Sequence, residues 1–248
     1  GEYTPADNVK LYAIWGGSTY DCEAGTYWDA DTAKCAQCTA GNYCKGVTGS
    51  NSGVDAGLTI CPAGTSATGA KTENDCYFTI TLNKNGGSGT CGGTSSTSDG
   101  SATCYYNKAC TLPSWNASSC GLSNGAKIFK GWATSNDATS GSTALTFKAT
   151  TTVYAVWETP TCSADNGTAK PANTTTNAPK CTVTCNNGYG TSGTYTGTVG
   201  STSYNYACSA NSITIKYDTN GATSGVPAVS SQNCSYNGTC LATSQGTM

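Results

Sequence analysis

Cysteine is the residue of this chain most able to do chemistry: 16 of the 248 residues are Cys, and there is no His. Cys35-Ala36-Gln37-Cys38 has the spacing of half a zinc site or of a redox-active dithiol, and Cys181-Thr182-Val183-Thr184-Cys185 that of a looser metal knuckle. A closed zinc site needs four ligands, however, and no second Cys-x2-Cys matches either motif. A thioredoxin-like dithiol needs a helix N-terminus in an α/β setting, which the local pattern does not supply. Disulfides are therefore expected. Asp29-Ala30-Asp31 starts like a calcium loop but lacks the remaining ligands, so a solvated turn is expected there. Without His, neither a Ser-His-Asp nor a Cys-His catalytic set can be assembled within this chain. The 14 acidic residues are scattered and offer no convincing pair of carboxylates. The expectation is a protein with no catalytic residues, no metal and no cofactor.

The aromatic residues are the second chemical resource, since a Trp or Tyr face can stack on a sugar ring. Trp132 and Trp157 stand beside apolar neighbours at positions that define the repeat unit, which predicts core positions. Trp28 and Trp115 stand in polar stretches and are the candidates for exposed ligand contact.

These groups need elements to hold them, and the chain supplies repeated ones. Leu11-Tyr12-Ala13-Ile14-Trp15 recurs as Val153-Tyr154-Ala155-Val156-Trp157. Phe78-Thr79-Ile80-Thr81-Leu82, leading to Asn85-Gly86, recurs as Ile213-Thr214-Ile215-Lys216-Tyr217, leading to Asn220-Gly221. Self-similarity of this kind marks a modular array. The predicted organisation is the end of a truncated repeat over 1–15, a cysteine-rich module over 20–76 and a complete repeat over 77–158. A second cysteine-containing module over 161–209 and the start of a further repeat over 211–248 follow, as in a piece of a longer protein. Phe78, Ile80 and Leu82 alternate with polar residues, the period of a half-buried strand, and Asn85-Gly86-Gly87 then turns the chain. Gly, Ser, Thr and Asn interrupt every stretch long enough for a helix. The expected fold is mainly β, with tandem small modules alternating between a regular repeat and loop-rich, disulfide-rich segments.

The cysteines fall into even groups along these modules, which is what pairing inside each module requires. Cys104-x5-Cys110 recurs as Cys234-x5-Cys240, both enclosing Tyr-Asn, whereas Cys91 has no counterpart between Asn220 and Cys234. A bond lost as a pair leaves the other intact, so Cys104 is expected to join Cys110, and Cys91, by remainder, Cys120. Cys234 and Cys240 form the matching candidate pair. Cross-links at this density suit an oxidising compartment and modules too small to bury a large core.

Charge narrows the partners. Only 10% of residues are charged, against about 25% in average proteins. A net charge of -2 with basic residues thinly spread leaves no stripe for nucleic acid. No apolar run is long enough to span a bilayer, so this segment is not expected to insert in a membrane. Gly1–Pro5 lacks the charged and apolar regions of a signal peptide, so any signal or anchor is expected elsewhere in the parent.

The order strand, Asn85-Gly86-Gly87, Tyr106 to Thr111-Leu112-Pro113, Phe129-x-Gly131-Trp132, then Val153-Tyr154-Ala155-Val156-Trp157 resembles the B-repeat of internalin, also called the Listeria–Bacteroides repeat. That likeness covers 77–158, with fragments at 1–15 and 211–248. It implies a small β-grasp-like domain strung in tandem on bacterial surface proteins. Cys22-Glu23-Ala24-Gly25-Thr26-Tyr27 and Cys35-x2-Cys38 are similar to tumour-necrosis-factor-receptor and ephrin-receptor-like cysteine-rich repeats, a likeness that implies a Cys22–Cys35 bond. Six cysteines allow fifteen pairings, so the other two bonds of that block stay open. The expected function is a non-enzymatic adhesin, stalk or spacer at a bacterial cell surface, facing a host or neighbouring-cell protein or glycan. The alternative is a set of glycan-binding accessory modules of a secreted hydrolase, distinguished by binding that depends on an exposed Trp. A receptor-like protist ectodomain is a third possibility, resting on the cysteine modules alone.

Overall fold

The computed structural model describes residues 19–50, 53–91, 100–115, 120–221, 223 and 230–241. The phrase Leu11–Trp15, and with it the expected repeat end over 1–15, lies outside the described residues. Every regular element among them is a strand except one 3-10 turn at Glu73–Asp75.

The first segment has six short strands, β1 (Thr19–Cys22), β2 (Thr26–Asp29), β3 (Lys34–Gln37), β4 (Asn42–Tyr43), β5 (Val47–Ser50) and β6 (Thr59–Ile60). They pair as three separate two-stranded ribbons, β1 with β5, β2 with β3 and β4 with β6. Ribbons this small bury little on their own. The cluster they close over consists of Tyr43, Cys61, Ala70 and Cys76, so half of its members are cystine halves.

The central segment is the most regular part of the molecule. It comprises β7 (Tyr77–Asn83), β8 (Gly100–Tyr105), β9 (Ala109–Thr111), β10 (Ile128–Ala133), β11 (Ala144–Thr146) and β12 (Thr152–Glu158). Four of these make one sheet in the order β10-β12-β7-β8, while β9 and β11 form a ribbon. β12 runs parallel to β7, pairing Val153 with Leu82, and the outer neighbours are antiparallel. First and last long strands side by side and parallel is the β-grasp-like arrangement. Period-two alternation does what it predicts: Phe78, Ile80 and Leu82 are buried and Thr79 between them is exposed. They meet Val153, Ala155, Trp132, Leu112 and Phe147 in a single core.

The Phe129-x-Gly131-Trp132 phrase has a physical reason here. Gly131 sits at φ 116° beside a bulge between Phe129 and Gly131, and a Cβ on it would lie 2.6 Å from Ser142 N. Only Gly lets the Trp132–Ser142 bridge close. Trp132 is fully buried, and its indole N–H donates to Pro113 O at 2.7 Å, tying Phe-x-Gly-Trp to Thr-Leu-Pro.

A third segment has β13 (Thr161–Asp165), β14 (Gly167–Ala172), β15 (Lys180–Cys185), β16 (Gly193–Thr196) and β17 (Ser203–Ala207). β14, β15 and β16 form an antiparallel sheet, and β13 pairs in parallel with β17. Cys181, Val183 and Cys208 are its buried centre, ringed by half-buried tyrosines. The last hairpin, β18 (Ser212–Lys216) with β19 (Ser231–Ser235), is antiparallel.

Candidate functional site

The disulfide framework is the feature that every segment shares. The structure joins Cys22 to Cys35, Cys38 to Cys44 and Cys61 to Cys76 in the first segment. It joins Cys91 to Cys120 and Cys104 to Cys110 in the second. In the third and in the hairpin it joins Cys162 to Cys181, Cys185 to Cys208 and Cys234 to Cys240. No cysteine is free. Cys35 and Cys38 thus belong to different bonds, as do Cys181 and Cys185, so neither motif acts as a metal knuckle or a dithiol. Four cysteines in the third segment allow three pairings, and sequence spacing gave no means of choosing among them. All bonds are local, closing loops of between 6 and 29 residues of sequence separation. Each module is consequently closed on itself, with no bond running from one to the next.

The two Trp candidates for ligand contact are placed differently from the expectation. Trp28 is only 6% exposed. Thr26-Tyr27-Trp28-Asp29 is a strand and not a loop, and alternation turns Trp28 inward, where its ring stacks on Tyr20 at 4.5 Å. Trp115 is half-buried and packs against the central core. Asp29-Ala30-Asp31 is the expected turn: Asp29 Oδ1 accepts from the amides of Asp31 and Thr32 at 3.0 and 3.3 Å. Among the described residues, no group of three or more acidic or Cys side chains converges as a metal holder.

Aromatic surface is supplied by tyrosine instead. Tyr77 and Tyr105 meet edge to face at 5.9 Å across the β7–β8 ladder, and Lys108 Nζ lies 5.5 Å from the Tyr105 ring. Tyr105 is 47% exposed. With Lys71 and Asp75 these rings line an open groove of about 340 Å³ where the first and central segments meet. Partial desolvation alone would raise the Asp75 carboxyl, but the amides of Lys71 and Thr72 and the Thr72 hydroxyl bind it and hold it below the usual carboxylate range. A second, more polar groove of about 720 Å³ is lined by Asn85, Lys127, Asp137, Trp157 and Glu158. These surfaces offer stacking faces, amides and charges. They suit binding of a polar ligand.

The residues that sequence reasoning missed lie at the joints. Cys76 runs into β7 without a linker, Tyr106 N donates to Cys76 O at 2.8 Å, and Thr65 pairs with Tyr77 in both directions at 2.9 and 2.7 Å. A Cβ on Gly64, which sits at φ 70°, would come within 2.0 Å of Tyr77 O, so this approach of two backbones requires Gly. The next joint depends on Asn177, which is 7% exposed with φ 49°. Its side chain accepts from Phe129 N at 2.6 Å and donates to Phe129 O at 3.3 Å, while Thr174 N donates to Gly125 O at 2.9 Å. An amide carries a separate donor and acceptor, so one Asn side chain can satisfy both backbone groups of the same residue. At the last joint Asn211 N donates to Gly188 O at 2.8 Å, and Tyr189 meets Tyr236 edge to face at 5.5 Å. The sequence offers only the residue type: Asn tolerates the positive φ found at position 177 better than most residues, but nothing in the sequence names its partner.

No family model, no curated protein and no solved structure matches the chain. Its reading therefore rests on its own residues.

Proposed function

We propose that this chain is a spacer segment of a cell-surface adhesin or stalk, non-enzymatic, with contacts to a host or neighbouring-cell protein or glycan spread over exposed loops and tyrosines. The observation that supports it is the combination of locally closed disulfides with hydrogen-bonded joints. A complete set of disulfides belongs to an oxidising, extracellular or secretory setting. Local closure means that pulling on the ends extends only the residues outside each loop. Joints tied by backbone pairing and by Asn177 resist bending where tandem modules linked by free loops would swing. The likeness of the central segment to the internalin B-repeat, and its β-grasp-like strand order, support placing the parent on a bacterial surface. The hypothesis of glycan-binding accessory modules loses the two Trp contacts that motivated it, because both rings pack against the protein.

The test is to insert the chain between a surface anchor and a reporter epitope and to measure epitope reach above the cell envelope. The expected result is a reach exceeding that of a flexible Gly/Ser linker of equal length, lost on reduction. Equal reach for the two would overturn the spacer role.

A further inference from the structure

The groove where the first and central segments meet carries an aromatic pair that its own hairpin does not require. The β7–β8 and β18–β19 hairpins share one register, with Phe78 opposite Cys104 and Ile213 opposite Cys234. They share the loop that follows as well. Cys104–Cys110 and Cys234–Cys240 both span 6 residues of sequence separation, and Asn107 and Asn237 both sit at φ 55°. Tyr106 recurs as Tyr236. Against that constancy, three positions change together. The cross-strand pair Tyr77–Tyr105 is matched by Ser212–Ser235 in the other hairpin, and Lys108 by Gly238. Serine and glycine serve the same strand pairing and the same disulfide loop, so Tyr77, Tyr105 and Lys108 are not what the hairpin needs to fold.

The three residues are nonetheless held in place. Lys108 N donates to Tyr105 O at 3.2 Å inside the Cys104–Cys110 loop, and Lys108 Nζ lies 5.5 Å from the Tyr105 ring centre. The Tyr77 ring meets Tyr105 edge to face. Tyr106 packs against both neighbouring core clusters, whereas Tyr105 stands 47% exposed. The opposite wall runs from Ala67 to Lys71. It is fixed to the Cys38–Cys44 loop, since Gly69 N donates to Cys38 O at 2.8 Å and Cys44 N to Ala70 O at 3.0 Å. Ala67, Gly69 and Ala70 add little bulk to that wall, so the groove stays open beside the rings.

The chemistry of the lining selects the ligand. A preformed, exposed aromatic ring offers stacking area at little entropic cost, and the C–H face of a sugar ring suits it. The lining holds Ala, Gly, Thr, Lys, Asp and Tyr and no large aliphatic side chain, so a peptide's apolar anchor would find no pocket here. Charge selects further. The Asp75 carboxylate is spent on the Lys71 and Thr72 amides and the Thr72 hydroxyl. Lys71 and Lys108, by contrast, make no ion pair within 4 Å among the described residues. Two ammonium groups beside one already satisfied carboxylate favour an anionic group on the ligand.

We propose that this groove binds a carboxylate-bearing saccharide, one ring of which stacks on Tyr105 while its carboxylate meets Lys108. The ammonium that rests on the Tyr105 ring gives way to the sugar and turns to the carboxylate, which the flexible lysine stem allows. Lys71 supplies a second cation from the facing wall. The site rests on the glycan-contact part of the function proposed above and not on its spacer part.

The experiment measures binding of the oxidised chain to a panel of uronic-acid and sialic-acid oligosaccharides, each beside its carboxyl-reduced neutral counterpart. Tyr105→Ser and Lys108→Gly carry the residues of the matching hairpin and so keep the fold, and Tyr105→Phe keeps the stacking face. Expected is saturable binding of an acidic member, about tenfold weaker for its neutral counterpart and weakened by added salt. Tyr105→Ser should weaken it about fivefold and Tyr105→Phe should restore it. Lys108→Gly should reduce the preference for the acidic member. A panel with no bound member, binding that Tyr105→Ser leaves intact, or equal binding of acidic and neutral members overturns the proposal. Epitope reach should be the same for the parent chain and Tyr105→Ser, so failure of this site and failure of the spacer role are read separately.

Discussion

The β7–β8 and β18–β19 hairpins have the same strand pattern, the same register and the same short disulfide loop, yet β7 lies at the centre of a core and β18 is exposed along its length among the described residues. Local sequence therefore specifies the hairpin, and burial is conferred by strands that arrive from elsewhere. Removing buried methylenes costs in proportion to the cavity that remains. Ile80→Ala should destabilise the central segment by about 2–5 kcal/mol, whereas Ile215→Ala should fall within about 0.5 kcal/mol. Denaturant unfolding followed by Trp fluorescence checks both. Equal costs would mean that β18 is covered in solution as β7 is.

The cross-links sharpen the same contrast. The Cys91–Cys120 bond, present only in the complete unit, closes 29 residues, against 6 for Cys104–Cys110 and Cys234–Cys240. Loop-closure entropy gives about 4 kcal/mol for the long loop and about 2 kcal/mol for a short one. Replacing both cysteines of each pair by Ser should rank in that order in the unfolding midpoint. Reduction of the whole chain should unfold the first segment before the central one, since its small core is half cystine. Exchange mass spectrometry of the two segments decides this.

A smaller effect is expected at the joint. Asn177→Ala strands the buried N–H and C=O of Phe129 and strains a positive φ, which predicts a loss of about 1–3 kcal/mol from docking of the third segment. Asn177→Gly relieves the backbone strain but not the lost bonds, so it should recover only part of the loss. Protease sensitivity between 158 and 180 reports the difference.

The smallest effect lies at Asp75, just before β7. Its carboxyl is lowered in the folded chain, so the ionised form contributes stability at neutral pH, and that contribution is lost as pH falls below about 4 through the folded value. Most of the group's surroundings are solvated, so the contribution should be under about 1 kcal/mol. Thermal midpoints at neutral and acid pH should fall more for the parent chain than for Asp75→Asn.

Much of this architecture was legible because it is local. Cys104–Cys110 and Cys91–Cys120 followed from comparing two repeats, the burial of Phe78, Ile80 and Leu82 from periodicity, and that of Trp132 from its apolar neighbours. The two bonds among Cys162, Cys181, Cys185 and Cys208 have no repeat to compare, and their pairing was not legible. Trp28 was misplaced because polar neighbours in a short strand look like a loop. Asn177 carried no signature of a partner 48 residues away.

The sequence by itself determined the β character, the internal repeat and the cystine-rich framework, because alternation, turn residues and cysteine parity act over a few residues. Only the tertiary structure decided that Trp28 and Trp115 pack against the protein, and how the modules are joined. Those depend on the approach of backbones far apart in the chain, where a single amide or a missing Cβ settles whether two surfaces can meet.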